Sequence, residues 1–184
     1  MPARVVVTGA AGFIGSHVCE ALLARDHDVV GIDAFTDYYD PRIKRENIAP
    51  AMASPHFQLI EGSLASLDLH PILEGAAVVV HLAAQPGVRA SWGTTFEPYL
   101  EHNVRATQRL CEAMKTIGGM RLVYAGSSSV YGQTAELPMR ESHRTRPLSP
   151  YGVTKLAGEA LCLLYAENYG MPVTSLRFFT VYGP

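Results

Sequence analysis

The feature that most constrains the fold of this chain is a glycine-rich turn near its start. An apolar run breaks into GAAGFIG at positions 9–15, and a helical pattern follows. Gly9 would let the chain turn sharply off a strand, Gly12 would let the backbone approach a pyrophosphate, and Gly15 would let the helix pack closely on the strand. The free N–H groups of that helix would then face the phosphates. The turn predicts a dinucleotide-binding unit, although a glycine triplet alone also fits an ordinary strand-to-helix loop.

A second apolar run, Asp28 to Asp33, ends in an acidic residue 18 positions after Gly15. In a dinucleotide-binding unit, an acid at about this distance accepts hydrogen bonds from the ribose diol. A carboxylate there would also repel the additional phosphate of NADP. Asp33 therefore predicts NAD as the cofactor.

The remaining chain alternates short apolar runs with longer amphipathic segments, which is typical of a parallel sheet covered by helices. Three long segments are predicted as helices, 13–25, 94–117 and 149–169, and three apolar runs as strands, 56–61, 76–81 and 120–126. The inner face of the first helix is expected to carry Ile14, Val18, Ala21 and Leu22. The pattern predicts an α/β, Rossmann-type, doubly wound parallel sheet with strand order 3-2-1-4-5-6.

Composition agrees with one globular domain. The 184 residues are 48% hydrophobic and carry a formal net charge of −2, which is enough apolar material for a core. Basic patches or charge runs that would favour nucleic acid or a membrane surface are missing from the sequence. It also shows neither a membrane-spanning run nor a signal peptide, so a cytoplasmic protein is expected.

The cysteines and histidines predict no metal site. Cys19, Cys111 and Cys162 are odd in number, far apart and inside helical patterns, so they are interpreted as buried thiols in a reducing compartment. The seven histidines show no metal-ligand spacing.

Several loops are expected at the carboxyl ends of the strands, where open parallel sheets bind ligands. Strand 56–61 ends in Gly62 and Ser63, which could bond an adenine edge. Segment 82–91 begins with small residues that would leave room for a flat ring. Segment 34–50 is polar and aromatic, and a short helix through Lys44 is expected in it. A surface loop without a role in the site explains this segment equally well. Asn103, in the helix predicted over 94–117, fits a polar surface residue as well as a functional one.

A tyrosine and a lysine carry the chemistry. Tyr151 and Lys155 are four positions apart and share one helical face. A phenol has a pKa of roughly 10 in water and is a poor base unless a cation lies beside it. Lys155 and an oxidised nicotinamide ring would supply positive charge. Such a pair is common by chance. Together with the glycine turn, Asp33 and a serine cluster after strand five, it becomes strong evidence for a catalytic site.

Five sequences are spread along the chain from position 8 to position 184: TGAAGFIG, HLAAQPGVRAS, SSSVYG, SPYGVTK and LRFFTVYGP. Through them the chain resembles the extended short-chain dehydrogenases/reductases, and within these the NAD-dependent nucleotide-sugar epimerases. DYYDPRIKREN, HLAAQPGVRAS and LRFFTVYGP look most like UDP-glucuronate 4-epimerases.

The resemblance implies a role for each matching residue. Tyr151 would be the general base and acid on the sugar 4-hydroxyl. Lys155 would lower the pKa of Tyr151 and bind the nicotinamide ribose, and Ser127 would hydrogen-bond the reacting oxygen. The implied cofactor-binding residues are Gly9, Gly12, Phe13, Ile14, Gly15, Asp33, Ser63, Leu64, Leu82, Ala83, Ala84, Asn103, Tyr151, Lys155 and Phe178. The implied substrate-binding residues are Arg89, Ser127, Ser128, Ser129, Tyr151 and Thr180.

The chain departs from the family pattern in two places. Ser63 stands where relatives usually have Asp, which would weaken or reshape adenine binding. The sequence stops at Pro184, whereas relatives continue into a smaller lobe that grips the nucleoside diphosphate. Residues 1–184 are therefore expected to form an NAD-binding domain with the catalytic Ser, Tyr and Lys, and without most of the substrate lobe.

The expected function is NAD-dependent 4-epimerisation of a UDP-sugar, UDP-glucuronate to UDP-galacturonate, through a 4-keto sugar. UDP-glucose is an alternative substrate. A dehydratase or decarboxylase would need an acid at 128 or 129, and both are serine. An NAD-binding sensor or partner domain is the non-enzymatic alternative. Because relatives pair there, a homodimer through helices 94–117 and 149–169 is expected.

Overall fold

The computed structural model describes residues 2–133 and 136–183 and contains one six-stranded parallel sheet. Its strands are β1 (Arg4–Thr8), β2 (Asp28–Asp33), β3 (Phe57–Glu61), β4 (Val78–His81), β5 (Arg121–Ser127) and β6 (Val173–Phe178). Their order is β3-β2-β1-β4-β5-β6. This confirms the predicted fold class and strand order.

Helices cover both faces of the sheet. They are α1 (Phe13–Leu23), α2 (Pro41–Met52), α3 (His70–Leu73), α4 (Glu97–Tyr99), a π-helical turn (Leu100–Arg105), α5 (Ala106–Ile117), a 3-10 turn (Ser128–Val130) and α6 (Pro150–Tyr169). Along β1, Val6 packs into the core shared with α5 and α6, whereas Val5 and Val7 pack into the core shared with α1 and α2. Successive strand residues point to opposite faces, so both faces of a central strand are apolar.

The predicted inner face of α1 is partly wrong. Its buried residues are Gly15, Ser16 and Cys19, whereas Ala21 is exposed. A Cβ at Gly15 would overlap the carbonyl oxygen of Gly9, so the helix lies directly on the turn that precedes it. That close approach brings the small residues against the sheet.

The short helix predicted through Lys44 is longer than expected. It forms α2, which begins where the Asp40 carboxylate accepts a hydrogen bond of 3.0 Å from the backbone N–H of Arg42. Pro41 fits the first turn, where no backbone donor is needed. The helix continues to Met52 and includes Pro50.

The helix predicted over 94–117 begins at Glu97 and is not uniform. The π-helical turn separates α4 from α5, and Gly118, with φ of 74°, ends α5. Asn103 is the buried residue of this turn, so it lies on the side of the helix that faces the protein interior. Single π-type turns of this kind are frequent at functional sites.

All three cysteines are buried and free, as the sequence predicts, and the Sγ atoms of Cys111 and Cys162 are 4.0 Å apart. Within residues 2–133 and 136–183, none of the helices is long and apolar enough to cross a membrane. The same residues contain no group of three or more His, Cys, Asp or Glu side chains that could hold a metal ion.

Candidate active site

A cleft of about 800 Å³ lies at the carboxyl ends of the strands. In a sheet of this order, ligands bind at the point between β1 and β4 where the strand order reverses. The cleft collects every predicted cofactor residue except Asn103: Gly9, Gly12, Phe13, Ile14, Gly15, Asp33, Ser63, Leu64, Leu82, Ala83, Ala84, Tyr151, Lys155 and Phe178. Contact of these residues with the cofactor stays a prediction.

The glycine turn fits a pyrophosphate because side chains have no room there. Gly9 has φ of +71°, and a Cβ on it would lie 2.8 Å from the backbone nitrogen of Ala83. A Cβ on Gly12 would lie 3.2 Å from the carbonyl oxygen of Gly9. The floor of the cleft is therefore bare backbone at the N-terminus of α1, the arrangement that binds phosphates.

Asp33 is held rigidly at the end of β2. One carboxylate oxygen accepts from the backbone N–H of Ala11 at 3.1 Å, and the other accepts from the N–H of Phe35 at 2.8 Å. The Nζ of Lys44 lies 3.2 Å from the second oxygen. A carboxylate offers about four acceptor positions, so one remains for a ribose hydroxyl.

Sequence reasoning missed the contribution of α2 to this site. Lys44 is buried against Asp33, and Asn47, one turn later, donates to the carbonyl oxygen of Ala11 at 3.3 Å. Both residues line the cleft. The lysine also offsets the negative charge of Asp33, which was the basis for expecting NADP to be excluded. Their three-residue spacing in DYYDPRIKREN places Lys44 and Asn47 on one face of a helix, but the sequence does not indicate where that face points.

The predicted catalytic residues come together at the other end of the cleft. Ser127 is the last residue of β5, and Tyr151 and Lys155 lie on the first turns of α6. The helix begins there because the Ser149 hydroxyl accepts a hydrogen bond of 3.0 Å from the N–H of Gly152. The side chain of Ser127 is close enough to Tyr151 to lower the pKa of that phenol by hydrogen bonding.

Burial shifts the pKa values of the predicted catalytic pair, Tyr151 and Lys155, in opposite directions. It raises the pKa of Tyr151, whereas the hydrogen bond with Ser127 lowers it. Burial lowers the pKa of Lys155 to about 8, so this side chain remains mostly a cation at neutral pH. A cation beside a phenol favours the phenolate, which is what a tyrosine base requires.

The proposed substrate residues are placed less uniformly. Ser128 and Ser129 are half-buried in the 3-10 turn next to Ser127. Arg89 and Thr180 are exposed, and neither lines the cleft. Of the predicted substrate residues, Ser127 and Tyr151 line the cleft, whereas Ser128, Ser129, Arg89 and Thr180 do not.

Asn103 is not a surface residue. Its side chain is 1% exposed and bonds both backbone groups of Gln85, at 2.7 and 3.1 Å, and the Thr154 hydroxyl at 3.0 Å. These bonds tie the loop after β4 to α6 directly behind Tyr151. Its observed contacts are with the protein that supports the cleft.

Two further tyrosines lie near Tyr151, and sequence reasoning did not assign them. The Tyr99 hydroxyl lies 2.8 Å from the carbonyl oxygen of Gly87, and its ring meets that of Tyr151 edge-on at 6.3 Å. A Cβ on Gly87, which has φ of +105°, would overlap the Tyr38 hydroxyl. Tyr38 thus bridges from the segment after β2 to the loop after β4.

Comparison with known proteins gives a match over nearly the whole chain. The family model described as the NAD dependent epimerase/dehydratase family matches residues 5–184. This match confirms the predicted cofactor, NAD. It also agrees with the family resemblance seen in the sequence.

Individual relatives are similar at close to half of all positions. The uncharacterized UDP-glucose epimerase YtcB of Bacillus subtilis (strain 168) is 48% identical over 182 residues, and UDP-glucuronate 4-epimerase 1 of Arabidopsis thaliana is 43% identical over 185 residues. A crystal structure of UDP-glucuronic acid 4-epimerase from Bacillus cereus, in complex with UDP-glucuronic acid and NAD, superposes with a TM-score of 0.95 at 47% identity.

The match covers only part of each relative. It includes 98% of this chain but 57% of the B. subtilis protein, 43% of the Arabidopsis protein and 58% of the B. cereus chain. The chain therefore spans about half the length of the relatives it matches.

Proposed function

Because this chain belongs to the NAD dependent epimerase/dehydratase family, we propose that its protein inverts the 4-position of UDP-glucuronate to give UDP-galacturonate. The observation that carries the proposal is the group formed by Ser127, Tyr151 and Lys155 at the end of a cleft suited to NAD. The similarity to the B. cereus UDP-glucuronic acid 4-epimerase supports this choice of substrate.

In the proposed mechanism, Tyr151 removes the proton of the sugar 4-hydroxyl while Ser127 bonds the same oxygen. A bound NAD would supply a reversible acceptor for the hydride of that carbon. Lys155 holds positive charge beside the phenolate that Tyr151 must form. The resulting 4-keto sugar turns over in the cleft, and Tyr151 returns the proton to the oxygen once the opposite face has been reduced.

A uronic acid makes an additional demand on this site. Oxidation at the 4-position gives a β-keto acid, which loses carbon dioxide when the bond to its carboxylate aligns with the carbonyl π system. Short hydroxyl donors can hold the carboxylate out of that alignment without adding an acid. We propose this role for Ser128 and Ser129, which follow Ser127 directly in the 3-10 turn, and for Thr180, which lies two residues beyond β6; all three lie outside the cleft lining and would have to meet the carboxylate from its rim.

One specific observation favours a second candidate, UDP-glucose. The B. subtilis relative, at 48% identity, carries that substrate in its name. A dehydratase or decarboxylase has less support, because neither Ser128 nor Ser129 is acidic.

The test is a product analysis of the full-length protein with NAD and either UDP-glucuronate or UDP-glucose. Mass spectrometry separates a pentose product from a hexuronate, and chromatography separates the two epimers. We expect UDP-galacturonate from UDP-glucuronate, and an increased proportion of 4-keto-pentose from Ser128→Ala and Thr180→Val. Conversion of UDP-glucose alone would replace the proposed substrate, and no conversion of either would favour the sensor alternative. An unchanged product ratio in both variants would remove the hydroxyls from carboxylate binding.

We also propose that two copies of the protein pair through α5 and α6. The outer face of α6 supports this pairing, because it carries exposed leucine and valine side chains.

A further inference from the structure

Lys155 lies against an aromatic ring instead of an acidic partner. Its side chain is 4% exposed, and its Nζ is 4.6 Å from the centroid of the Tyr124 ring. None of the salt bridges within the described part of the chain involves Lys155. A cation within about 6 Å of an aromatic face is attracted by the ring quadrupole, most strongly where water is excluded. Tyr124 thus provides this buried ammonium with a favourable electrostatic contact.

The fold fixes the Tyr124 ring in this position from two sides. Tyr124 belongs to β5 and is 1% exposed, and its hydroxyl lies 3.3 Å from the carbonyl oxygen of Lys155. A Cβ on Gly158 would overlap that hydroxyl, so a glycine is needed one turn after Lys155. Strand and helix together hold the ring face toward the ammonium.

The other titratable and charged groups around Lys155 add little negative charge. They are Tyr151, Glu159 and Cys162 on α6, Cys111 on α5, His81 on β4 and Arg177 on β6. Glu159 is paired with Arg177 at 2.6 Å, which offsets its charge. The pKa of Cys162 is raised by its hydrogen bond with Cys111 and by burial, and burial lowers the pKa of His81 to about 3. Both are therefore neutral at physiological pH.

We propose that Tyr124 is a positioning residue whose ring face keeps Lys155 protonated and thereby sets the pH range in which Tyr151 acts as a base. The kinetic part of this inference rests on the proposed epimerase function. The charge state of Lys155 does not, because it can be measured without a substrate.

The direction of the effect follows from the sign of the charge. A ring that attracts the ammonium raises the pKa of Lys155 above the value that burial alone would give. Weakening the ring lowers that pKa, so Lys155 loses its proton at lower pH. The expected displacement is roughly one pH unit for loss of a buried cation–π contact.

A fluorination series isolates the electrostatics of the ring from its volume. Tyr124→Phe removes the hydroxyl and keeps the face, and 3,5-difluoro- and 3,4,5-trifluorophenylalanine at the same position then withdraw electron density from an almost unchanged shape. The Lys155 titration is measured by NMR on full-length, NAD-bound protein labelled with ¹³C at lysine Cε. The resonance is assigned by its absence from Lys155→Met.

We expect the pKa of Lys155 to remain close to the wild-type value in Tyr124→Phe and to fall stepwise along the fluorinated series. The matched control places the same residues at Tyr165, a buried tyrosine on α6 that bonds Glu112 and lies in the same core. A Lys155 titration that does not move along the Tyr124 series, or that moves equally along the Tyr165 series, overturns the proposal.

Turnover gives the kinetic readout. The alkaline limb of the kcat profile should move to lower pH in step with the Lys155 titration. A fall in kcat at every pH without movement of that limb would mean that Tyr124 is only structural. A full-length protein with no epimerase activity, but with the stepwise NMR shift, would overturn the proposed function and leave the role of Tyr124 in place.

Discussion

In the proposed mechanism, Tyr151 acts as a base in an environment that opposes its ionisation. Burial raises its pKa, and the neighbouring hydroxyls of Tyr99 and Tyr38 act in the same direction. The hydrogen bond with Ser127 acts against this, and a positive nicotinamide ring would add to its effect when NAD is bound. The site is therefore expected to be a weak base without its cofactor and an effective one with it.

Replacement of Tyr151 by phenylalanine tests this assignment directly. The variant loses the proton acceptor and keeps the ring that packs against Tyr99. We expect NAD to remain bound and hydride transfer from the UDP-sugar to fall by roughly 10²–10⁴-fold, the usual contribution of a general base. The measurement is the absorbance of reduced nicotinamide after the substrate is mixed with NAD-bound protein.

Tyr169→Phe is the control, since Tyr169 is an exposed tyrosine at the far end of α6. Full hydride transfer by Tyr151→Phe would place the base elsewhere.

At the residue scale, the groups that sequence analysis identified are those whose type and spacing carry their function. Gly9, Asp33 and Tyr151 belong to this class. His81 does not: it is buried between the Thr8 and Thr107 hydroxyls, at 2.7 and 3.0 Å. Thr107 already donates to the Asn103 carbonyl oxygen, so His81 Nε2 must carry the ring proton. Contacts between residues so far apart in sequence leave no local signal.

At the scale of elements, the length and direction of α2 decide what surrounds Asp33. The sequence shows a polar segment with a helix near Lys44, but the angle at which that helix approaches the sheet depends on tertiary packing. Ile48 and Ala51 anchor α2 in the core shared with α1. That anchorage turns Lys44 and Asn47 toward the cleft, which periodicity alone could not reveal.

This arrangement predicts how the preference for NAD can be changed. We expect the wild-type protein to bind NAD more tightly than NADP, because Asp33 faces the site of the additional phosphate. Asp33→Ser removes that repulsion and leaves the Lys44 ammonium free to meet the phosphate. The ratio of the two dissociation constants should shift toward NADP by about tenfold or more, the effect of one hydrogen bond to a charged group.

Calorimetric titration of the cofactor-free protein with each dinucleotide measures this ratio. Adding Lys44→Met to Asp33→Ser should abolish the gain in NADP affinity while leaving the backbone floor of the cleft intact. A wild-type protein that prefers NADP would show that Asp33 has been assigned the wrong role.

At the scale of the whole molecule, the sheet was predictable because its signals are redundant. Strands β1, β3 and β5 end at or beside a glycine, the helical segments between the strands are long, and right-handed crossovers leave few topologies for such a series. The helix interiors were less predictable. In the π-helical turn before α5, Asn103 bonds Gln85 and Thr154. These are tertiary contacts, and nothing in the local pattern distinguishes this turn from a regular helix.

The outer surface of α6 predicts the state of assembly. The side of this helix that faces the sheet buries Gly158, Cys162 and Tyr165. The opposite stripe, Val153, Ala157, Ala160 and Leu164, is also apolar, and Val153 and Leu164 are 51% and 52% exposed. A helix that is apolar on all sides is normally buried on all sides. We therefore expect another protein surface to pack against this stripe.

We expect the full-length protein to be a dimer at micromolar concentration, with α5 and α6 of the two copies in contact. Val153→Glu combined with Leu164→Glu should raise the dissociation constant of the dimer by about 100-fold or more, because carboxylates would then be buried without partners. Light scattering coupled to size-exclusion chromatography over a concentration series measures this constant. Met52→Glu is the matched control, since Met52 is 53% exposed but ends α2, which packs into the other core. A monomeric wild-type protein, or equal dissociation by Met52→Glu, would mean that α6 is covered by another part of the same chain.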